Sequence, residues 1–476
     1  MIAAGIDQGT TASKAALLAD DGSISFLPER RHASHFPAPG LVEQDPRELL
    51  GNVRSLIEDA AASGARDVCL ANQGETIVAW NRLTGEPLCP AIVWQDQRTT
   101  KAVEALKANG HEALAQRISG LPLDPYFSAS KLAWVLENVD GARALAARGQ
   151  LGLATSDAYF IERLTGRYVT EPSTASRTGL MDIRTLQWDA ELCALFGVPI
   201  EVLPEIVTGA EPLGEIGTVH GRVGLAAGLV DQVAALYGHG CRVPGDAKFT
   251  FGTGAFGLAV AGTVAPQLQG VIPAACWAGA DGRVFAADGG IYTAGAAIEW
   301  LRRIGMVSDI AELDRLTGES AASRGVFFVP ALAGLACPHW DRSAAGLWIG
   351  LDGGTDRADM QKAVLEGIAF RAAEVLDVLA PSATSPLSID GGLARSDYFT
   401  RFLATVCARN IEVVEAVDLT SLGAAEIALA LASGEPLERA PRARLTRRRI
   451  APSDAPLADW RSRFTEARQR ASGWRW

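Results

Sequence analysis

A chain of 476 residues exceeds what one ordinary core holds, so two domains of roughly 200 to 250 residues are expected. The makeup, 48% hydrophobic and 21% charged, is that of a globular protein with ample core, and a formal net charge of -11 argues against a nucleic-acid partner, because phosphate-backbone binding runs on Lys and Arg. No run of about 18 apolar residues occurs, so no membrane span is expected; the start, MIAAGIDQGTT, lacks a secretory leader, and seven scattered cysteines without a CxxC pair read as thiols of a reducing cytoplasm.

Strand-like and helix-like segments alternate, which predicts an α/β architecture. At the N-terminus, Ala3 to Asp7 and Ser13 to Leu18 read as two strands around Gly9-Thr10-Thr11. Small residues there let backbone N–H groups approach a phosphate, with the Thr10 and Thr11 hydroxyls donating and Lys14 adding charge; an ordinary hairpin is the plainer reading of the same residues. The GxxxxGK[ST] spacing of a Walker A loop is absent. Asp7, at the strand end, suits Mg2+, whose preferred ligands are oxygens. His32 and His35 are spaced like metal ligands but, with no further ligand cluster nearby, read as surface histidines.

Farther on, ANQGETIVAW (71 to 80) sets Glu75 among amides and a hydroxyl, next to Gly74. AIVWQDQRT supplies Trp94, whose flat face suits a small carbon skeleton, beside Asp96 and Arg98, and LDPYFSASKLAW supplies Tyr126. Taken singly, both aromatics also read as core residues. In GLAAGLVDQVAAL (224 to 236) every residue is apolar or glycine except Asp231 and Gln232. A carboxylate in that setting is either satisfied by partners or opens into a site. Two compatible roles are open for Asp231: general base, with burial raising its pKa toward working pH, or N-cap of a helix starting at Gln232.

A second hairpin signal, Lys248 to Phe256 around Gly252-Thr253-Gly254, repeats the first and suggests an internal duplication with a boundary near residues 238 to 246. Helical spacing is clearest at Met360, Ala363, Val364, Gly367, Ile368, Ala372, Val375, Leu376 and Leu379, with Asp356, Lys362 and Asp377 off that face; this helix is expected between the sheet and the other domain. SIDGGLARSDYF places Asp390-Gly391-Gly392 after a strand and Ser396 at a helix start, where N–H groups meet anions, or where the chain makes a tight turn. From Pro436 the chain is rich in Arg, including Arg447 to Arg449, and ends in an amphipathic helix, Ala458 to Ala471, read as solvated.

Taken in order, GIDQGTTASK, GLVEQDP, NQGETIVAW, AIVWQDQRT, LDPYFSASK, DAYFIERLTG, STASRTGLMD, VDQVAALYG, FGTGAF, AGAAIEWLR, GLWIGL, EGIAFR and IDGGLARSD resemble the FGGY carbohydrate kinases, and within them the glycerol kinases, over nearly the whole chain. The resemblance implies a two-lobed actin-like ATPase (ribonuclease H-like) α/β fold with a central cleft. Residues 1–240 would form an N-terminal domain that binds sugar or polyol, 241–440 a C-terminal domain that binds ATP, and 441–476 a basic tail and helix. It further implies ATP-dependent phosphorylation of a small polyol or sugar with Mg2+, a cytoplasmic location, and a homo-oligomer, dimer or tetramer, without nucleic-acid or membrane partners.

Residue by residue, the resemblance makes Asp231 the base and, with Asp7, a metal-holding carboxylate. Thr10, Thr11, Lys14, Thr253 and Gly254 would face the phosphates, and Gly295, Glu299, Gly392 and Ser396 fall at nucleotide-contact positions, Glu299 and Ser396 replacing the Gln and Asn typical of glycerol kinases. Glu75, Trp94, Tyr126, Asp231 and Gln232 match the substrate positions. Gly74, however, replaces an Arg, and Val230 replaces a Gly. A hydrogen bond from a charged donor is worth about 1.5–3 kcal/mol, so its loss should weaken glycerol by roughly ten- to a hundredfold, while the vacated volume would suit a tetritol, pentitol or ketopentose. The Arg-containing loop that serves sugar-bisphosphate inhibition in some glycerol kinases is not recognisable in GEIGTVHGRVG (214 to 224), so no such inhibition is expected. Two other classes, a non-catalytic sugar-responsive protein and a polymerising actin-like ATPase, are opposed by the intact Asp7 and Asp231 and by the small-molecule pocket residues, respectively.

Overall fold

Two sheets built on one plan organise the computed structural model, which describes residues 1–475 apart from 210, 280, 383, 416, 417, 441 and 442. The first contains β1 (Ile2–Gln8), β2 (Ala12–Ala19), β3 (Ile24–Arg31), β4 (Asp67–Asn72), β5 (Gly214–Thr218) and β6 (Gly221–Val230), in the order β5-β6-β4-β1-β2-β3. The second contains β7 (Ala247–Phe251), β8 (Ala255–Gly262), β9 (Ile272–Gly279), β10 (Gly282–Ile291), β11 (Leu387–Gly391), β12 (Ile411–Val414) and β13 (Arg447–Ile450), in the order β9-β10-β8-β7-β11-β12-β13. In each, a block of antiparallel strands continues into two parallel strands and an antiparallel edge strand. Only β9 is additional, so the duplication suggested by the two hairpins extends to the topology of both lobes.

The helices that matter for the site are α1 (Pro46–Ala62), α2 (Pro172–Ala175), α3 (Asp231–Gly238), α4 (Gly295–Arg303), α5 (Arg357–Leu379), α6 (Asp397–Val406), α7 (Leu419–Ser433) and α8 (Leu457–Ala471). The helix expected between the lobes, α5, instead packs within the second lobe against β8, β10, α6 and the strand Phe327–Val329. It starts at a capping box formed by Asp356 and Asp359, and Lys362, placed off its apolar face by the spacing, is buried and donates to the Glu319 carbonyl. The inter-lobe helix is α7, which lies on β1, β2, β4 and α3. Glycines permit that approach: a Cβ at Gly5 would stand 1.9 Å from the Ser421 carbonyl oxygen, and one at Gly423 2.0 Å from that of Ala234. Ala3, Leu229, Val233, Leu236, Trp277 and Ile427 form a shared core between the sheets.

The C-terminal segment also departs from expectation. Strand β13 continues the second sheet, with Arg447 and Arg449 paired to Glu412, and α8 buries Trp460, Phe464, Ala467 and Ala471 rather than standing in solvent. Those four residues fall on one stripe, which overrides the basic composition. On the first lobe, a small sheet of Glu43–Gln44, Ala91–Ile92, Ile77–Asn81 and Leu151–Thr155, with the helix Ser128–Asn138, positions the loops that carry Trp94 and Tyr126.

Candidate active site

Because β1 and β6 both run parallel to β4, their ends deliver Asp7 and Asp231 to the same side of the first sheet. Strand β6 stops at Val230, the N-cap of α3, and Asp231 is therefore the first residue inside the helix, one position past the cap; its carboxylate accepts the Gln232 N–H at 2.6 Å. The helix N-terminus and the site coincide. Asp231 opens onto a cavity of about 160 Å³ that is also lined by Thr10, Gly74, Glu75, Trp94, Tyr126, Arg177 and Gln232. Burial, followed by the charge of Glu75, pushes the Asp231 carboxyl up to about 7, with Lys248 and Arg177 opposing. Gln232 accepts a hydrogen bond at 2.7 Å from Lys248 Nζ, which also donates to Thr250 at 3.1 Å, so the start of α3 is tied to strand β7 of the other lobe.

Glu75 is 3% exposed and takes a positive φ of 57°, a conformation that costs a non-glycine residue energy and turns the chain sharply; Thr76 N–H donates back to the Gly74 carbonyl at 2.7 Å. Its carboxylate accepts from Arg177 Nε at 2.6 Å, and the same guanidinium donates through Nη1 to Asp288 at 2.9 Å across the cleft. Burial raises the pKa of Glu75, and Arg177 opposes it; burial disfavours the Arg177 charge, but Glu75 and Asp288 together hold the guanidinium protonated. Arg177 follows α2, whose N-cap Glu171 accepts from the Ser173 and Thr174 N–H groups, and Ser173 Oγ in turn accepts the Val230 N–H at 2.8 Å.

Position 74 does not widen the cavity, contrary to expectation. A Cβ there would stand 2.8 Å from Val230 Cγ2, so the side chain of Val230 already fills the space. Trp94 donates its indole N–H to Thr10 Oγ1 at 3.1 Å and meets Tyr126 edge to face, with centroids 5.7 Å apart. Lys131, buried, donates to the carbonyls of Pro125, Tyr126 and Phe127 and so fixes the Tyr126 loop. Asp96 and Arg98 instead form a structural pair that also engages Val42 N–H and Glu43, outside the cavity wall.

Asp7 is buried, and its Oδ1 has no hydrogen-bond partner among the described residues. Burial raises its pKa well above the carboxylate range, and the charges of Asp418 and Asp231 raise it further, with Lys14 opposing. Lys14 faces Asp7 in the β1–β2 register but is held by Asp418 at 2.7 Å, and Thr11 is exposed at the turn. His32 is less superficial than its spacing suggested, since its Nε2 donates to the Thr10 carbonyl at 3.0 Å. In the second lobe, Thr253 and Gly254 lie at the β7–β8 turn, against which α4 starts: Gly295 N–H donates to the Gly252 carbonyl at 2.9 Å, and a Cβ at Gly295 would be 2.6 Å from that oxygen. Ser396 caps α6 through Phe399 N–H at 3.3 Å, Gly392 is exposed, and Glu299 pairs with Arg302 on the surface of α4. Neither these second-lobe residues nor Lys14 lines the cavity onto which Asp231 opens.

Residues 2–238 match the FGGY family of carbohydrate kinases, N-terminal domain, and residues 247–432 match the family's C-terminal domain. The chain belongs to the FGGY family of carbohydrate kinases. Within the family, it is 41% identical over 447 residues to the glycerol kinase of Rhodopirellula baltica, spanning 90% of this chain and 82% of that one. It is 38% identical over 489 residues to the glycerol kinase of Thermus brockianus, spanning 98% of each. The solved structure of Plasmodium falciparum glycerol kinase with ADP superposes with a TM-score of 0.89 at 28% identity, covering 99% of this chain and 98% of that one. No helix among the described residues of this FGGY kinase is long and apolar enough to cross a membrane. Residue-by-residue reading missed Arg177 and Asp288, whose partners lie far away in sequence, and the role of Lys248; the one available signal was an arginine set among small polar residues in STASRTGLMD.

Proposed function

We propose that this kinase transfers the γ-phosphoryl group of Mg-ATP to a hydroxyl of glycerol or a closely similar small polyol, with Asp231 as the base. The observation that carries the reading is the lining of the cavity: Asp231, Glu75 and Arg177 all face a space of about 160 Å³ beside Trp94 and Tyr126. Glycerol is favoured over a longer acceptor because Val230, not empty space, occupies the room beside Gly74. The similarity to two glycerol kinases points the same way.

Glu75 accepts hydrogen bonds from acceptor hydroxyls, while Trp94 and Tyr126 pack against the carbon chain. Asp231 takes the proton of the attacking hydroxyl, the new O–P bond forms, and the bond to the ADP oxygen breaks, so proton and phosphoryl group are both accounted for. Phosphoryl transfer asks mainly for positioning and charge neutralisation, so no covalent nucleophile is needed. Backbone N–H groups of the two turns, with Thr10, Thr11, Thr253 and Gly254, face the phosphates, and Gly295, Glu299, Gly392 and Ser396 the rest of the nucleotide. Asp7, with an unpartnered buried oxygen and negative neighbours, fits an oxygen-liganded divalent cation, and Asp231 lies on the same side. Mg2+ bound there supplies neutralisation of phosphate charge. The proposal includes a cytoplasmic location, in keeping with seven cysteines free of disulfides, and a homo-oligomer, to be read as molar mass by light scattering.

An ADP-release screen over glycerol, erythritol, pentitols and ketopentoses tests the reading. Glycerol should give the highest kcat/KM; a pentitol or ketose that surpasses it would move the substrate, and no polyol-dependent ADP release would contradict the function.

A further inference from the structure

The Arg177 guanidinium is 8% exposed in its side chain, bound on one edge by Glu75 and on another by Asp288, yet its Nη2 donates to no described group and it lines the cavity beside Asp231. A guanidinium fixed by two carboxylates and left with free N–H groups inside a polyol-sized cavity is preorganised to receive hydroxyl oxygens, since the ordering of its side chain precedes binding. Beside it, Gly74 and Val230 behave as one unit. Any side chain at 74 meets Val230 Cγ2, and Val230 cannot easily yield: valine is stiff at χ1, its N–H is held by Ser173, and its backbone is registered against Asn72 in the sheet. Pushing Val230 also displaces its neighbour Asp231.

We propose that Arg177 is the specificity-determining cation of the acceptor pocket, binding the acceptor's hydroxyls in place of an arginine at position 74 that Val230 excludes. The inference rests on the polyol-kinase reading and deepens it. It explains how a pocket lacking an arginine in its NQGET segment still presents a guanidinium to a triol, and it reverses the expected effect of Gly74→Arg, which should impair glycerol use when introduced alone.

Hydroxyl-deletion substrates provide the test. The kcat/KM of the wild type for glycerol is compared with that for 1,2-propanediol and 1,3-propanediol, and the larger of the two ratios is followed in variants. Arg177→Lys, which keeps a charge between Glu75 and Asp288 and so protects folding, should shrink that ratio by roughly ten- to a hundredfold and leave the KM for ATP within about twofold, because a lysine cannot reproduce the planar fork. Gly74→Arg should lower kcat/KM for glycerol, and Gly74→Arg with Val230→Gly in the Arg177→Lys background should restore much of the discrimination. An unchanged ratio in Arg177→Lys overturns the proposal, as does undiminished glycerol use by Gly74→Arg alone. Absence of polyol-dependent ADP release from the wild type defeats the functional reading as well, so the two failures are distinguishable.

Discussion

In the base role proposed for it, Asp231 acts only when ionised, and a pKa pushed up to about 7 then sets two pH dependences of opposite sign. Activity, read as kcat/KM for glycerol, should rise with pH through about 7 and level off above it. Stability runs the other way: between the ordinary value of 3.8 and about 7 the folded chain keeps a proton that the unfolded chain has released, so this group's contribution falls as pH rises across that window. Asp231→Asn should therefore melt higher than the wild type at pH 8, with the gap closing toward pH 4, even though it turns over far more slowly. Glycines divide as clearly at this scale. Gly391 has φ +94° and a Cβ there would be 2.3 Å from the Phe251 carbonyl oxygen, whereas a Cβ at Gly392 meets nothing within 4 Å. Thermal melting should find Gly391→Ala destabilised and Gly392→Ala close to the wild type. The sequence shows the glycine pair, but only the position of β7 decides which glycine the fold requires.

Among elements, those with a strong local period were readable. The two Gly-Thr hairpins were readable from a small-residue turn between two apolar runs, and α5 from the i, i+3, i+4 spacing of its apolar residues, although the structure buries β1 and β7 on both faces and α5 all round from Gln361 to Ala373. The helix that joins the lobes was not readable as such: LTSLGAAEIALALAS is small and apolar on nearly every side, since α7 is covered by the first sheet and by α3, and a helix buried all round shows no stripe. Its docking rests on glycine contacts, so Gly5→Ala, whose Cβ would overlap the Ser421 carbonyl, should lower denaturant stability by about 1–3 kcal/mol or more. At the far edge, residues 214 to 230 form the tight β5–β6 hairpin through Val219 and His220, the stretch in which no Arg-containing inhibitor loop was recognisable. Fructose 1,6-bisphosphate added to the assay should leave the rate unchanged.

Across the whole molecule, the proposed catalysis draws on residues of both lobes around one cavity. Gln232 is tied to Lys248, and Glu75 reaches Asp288 through Arg177, so each lobe contributes to the other's half of the site. The Arg177 links to Glu75 and Asp288 join residues 102 and 111 positions apart, which is why motif reading located Glu75 and Asp231 but could not find the arginine between the two carboxylates. A ligand that binds only the folded chain stabilises it, so glycerol at 100 times its Kd should add about 2.7 kcal/mol of apparent stability, visible as a rise in Tm. The central claim, that a buried carboxylate at the start of α3 activates a polyol hydroxyl toward ATP, is tested most directly by kcat/KM for glycerol phosphorylation in wild type and Asp231→Asn between pH 5.5 and 9. The account predicts a loss of roughly 10²–10⁴-fold in the variant together with disappearance of the inflection near pH 7; an Asp231→Asn enzyme that keeps the wild-type rate and pH profile would contradict it.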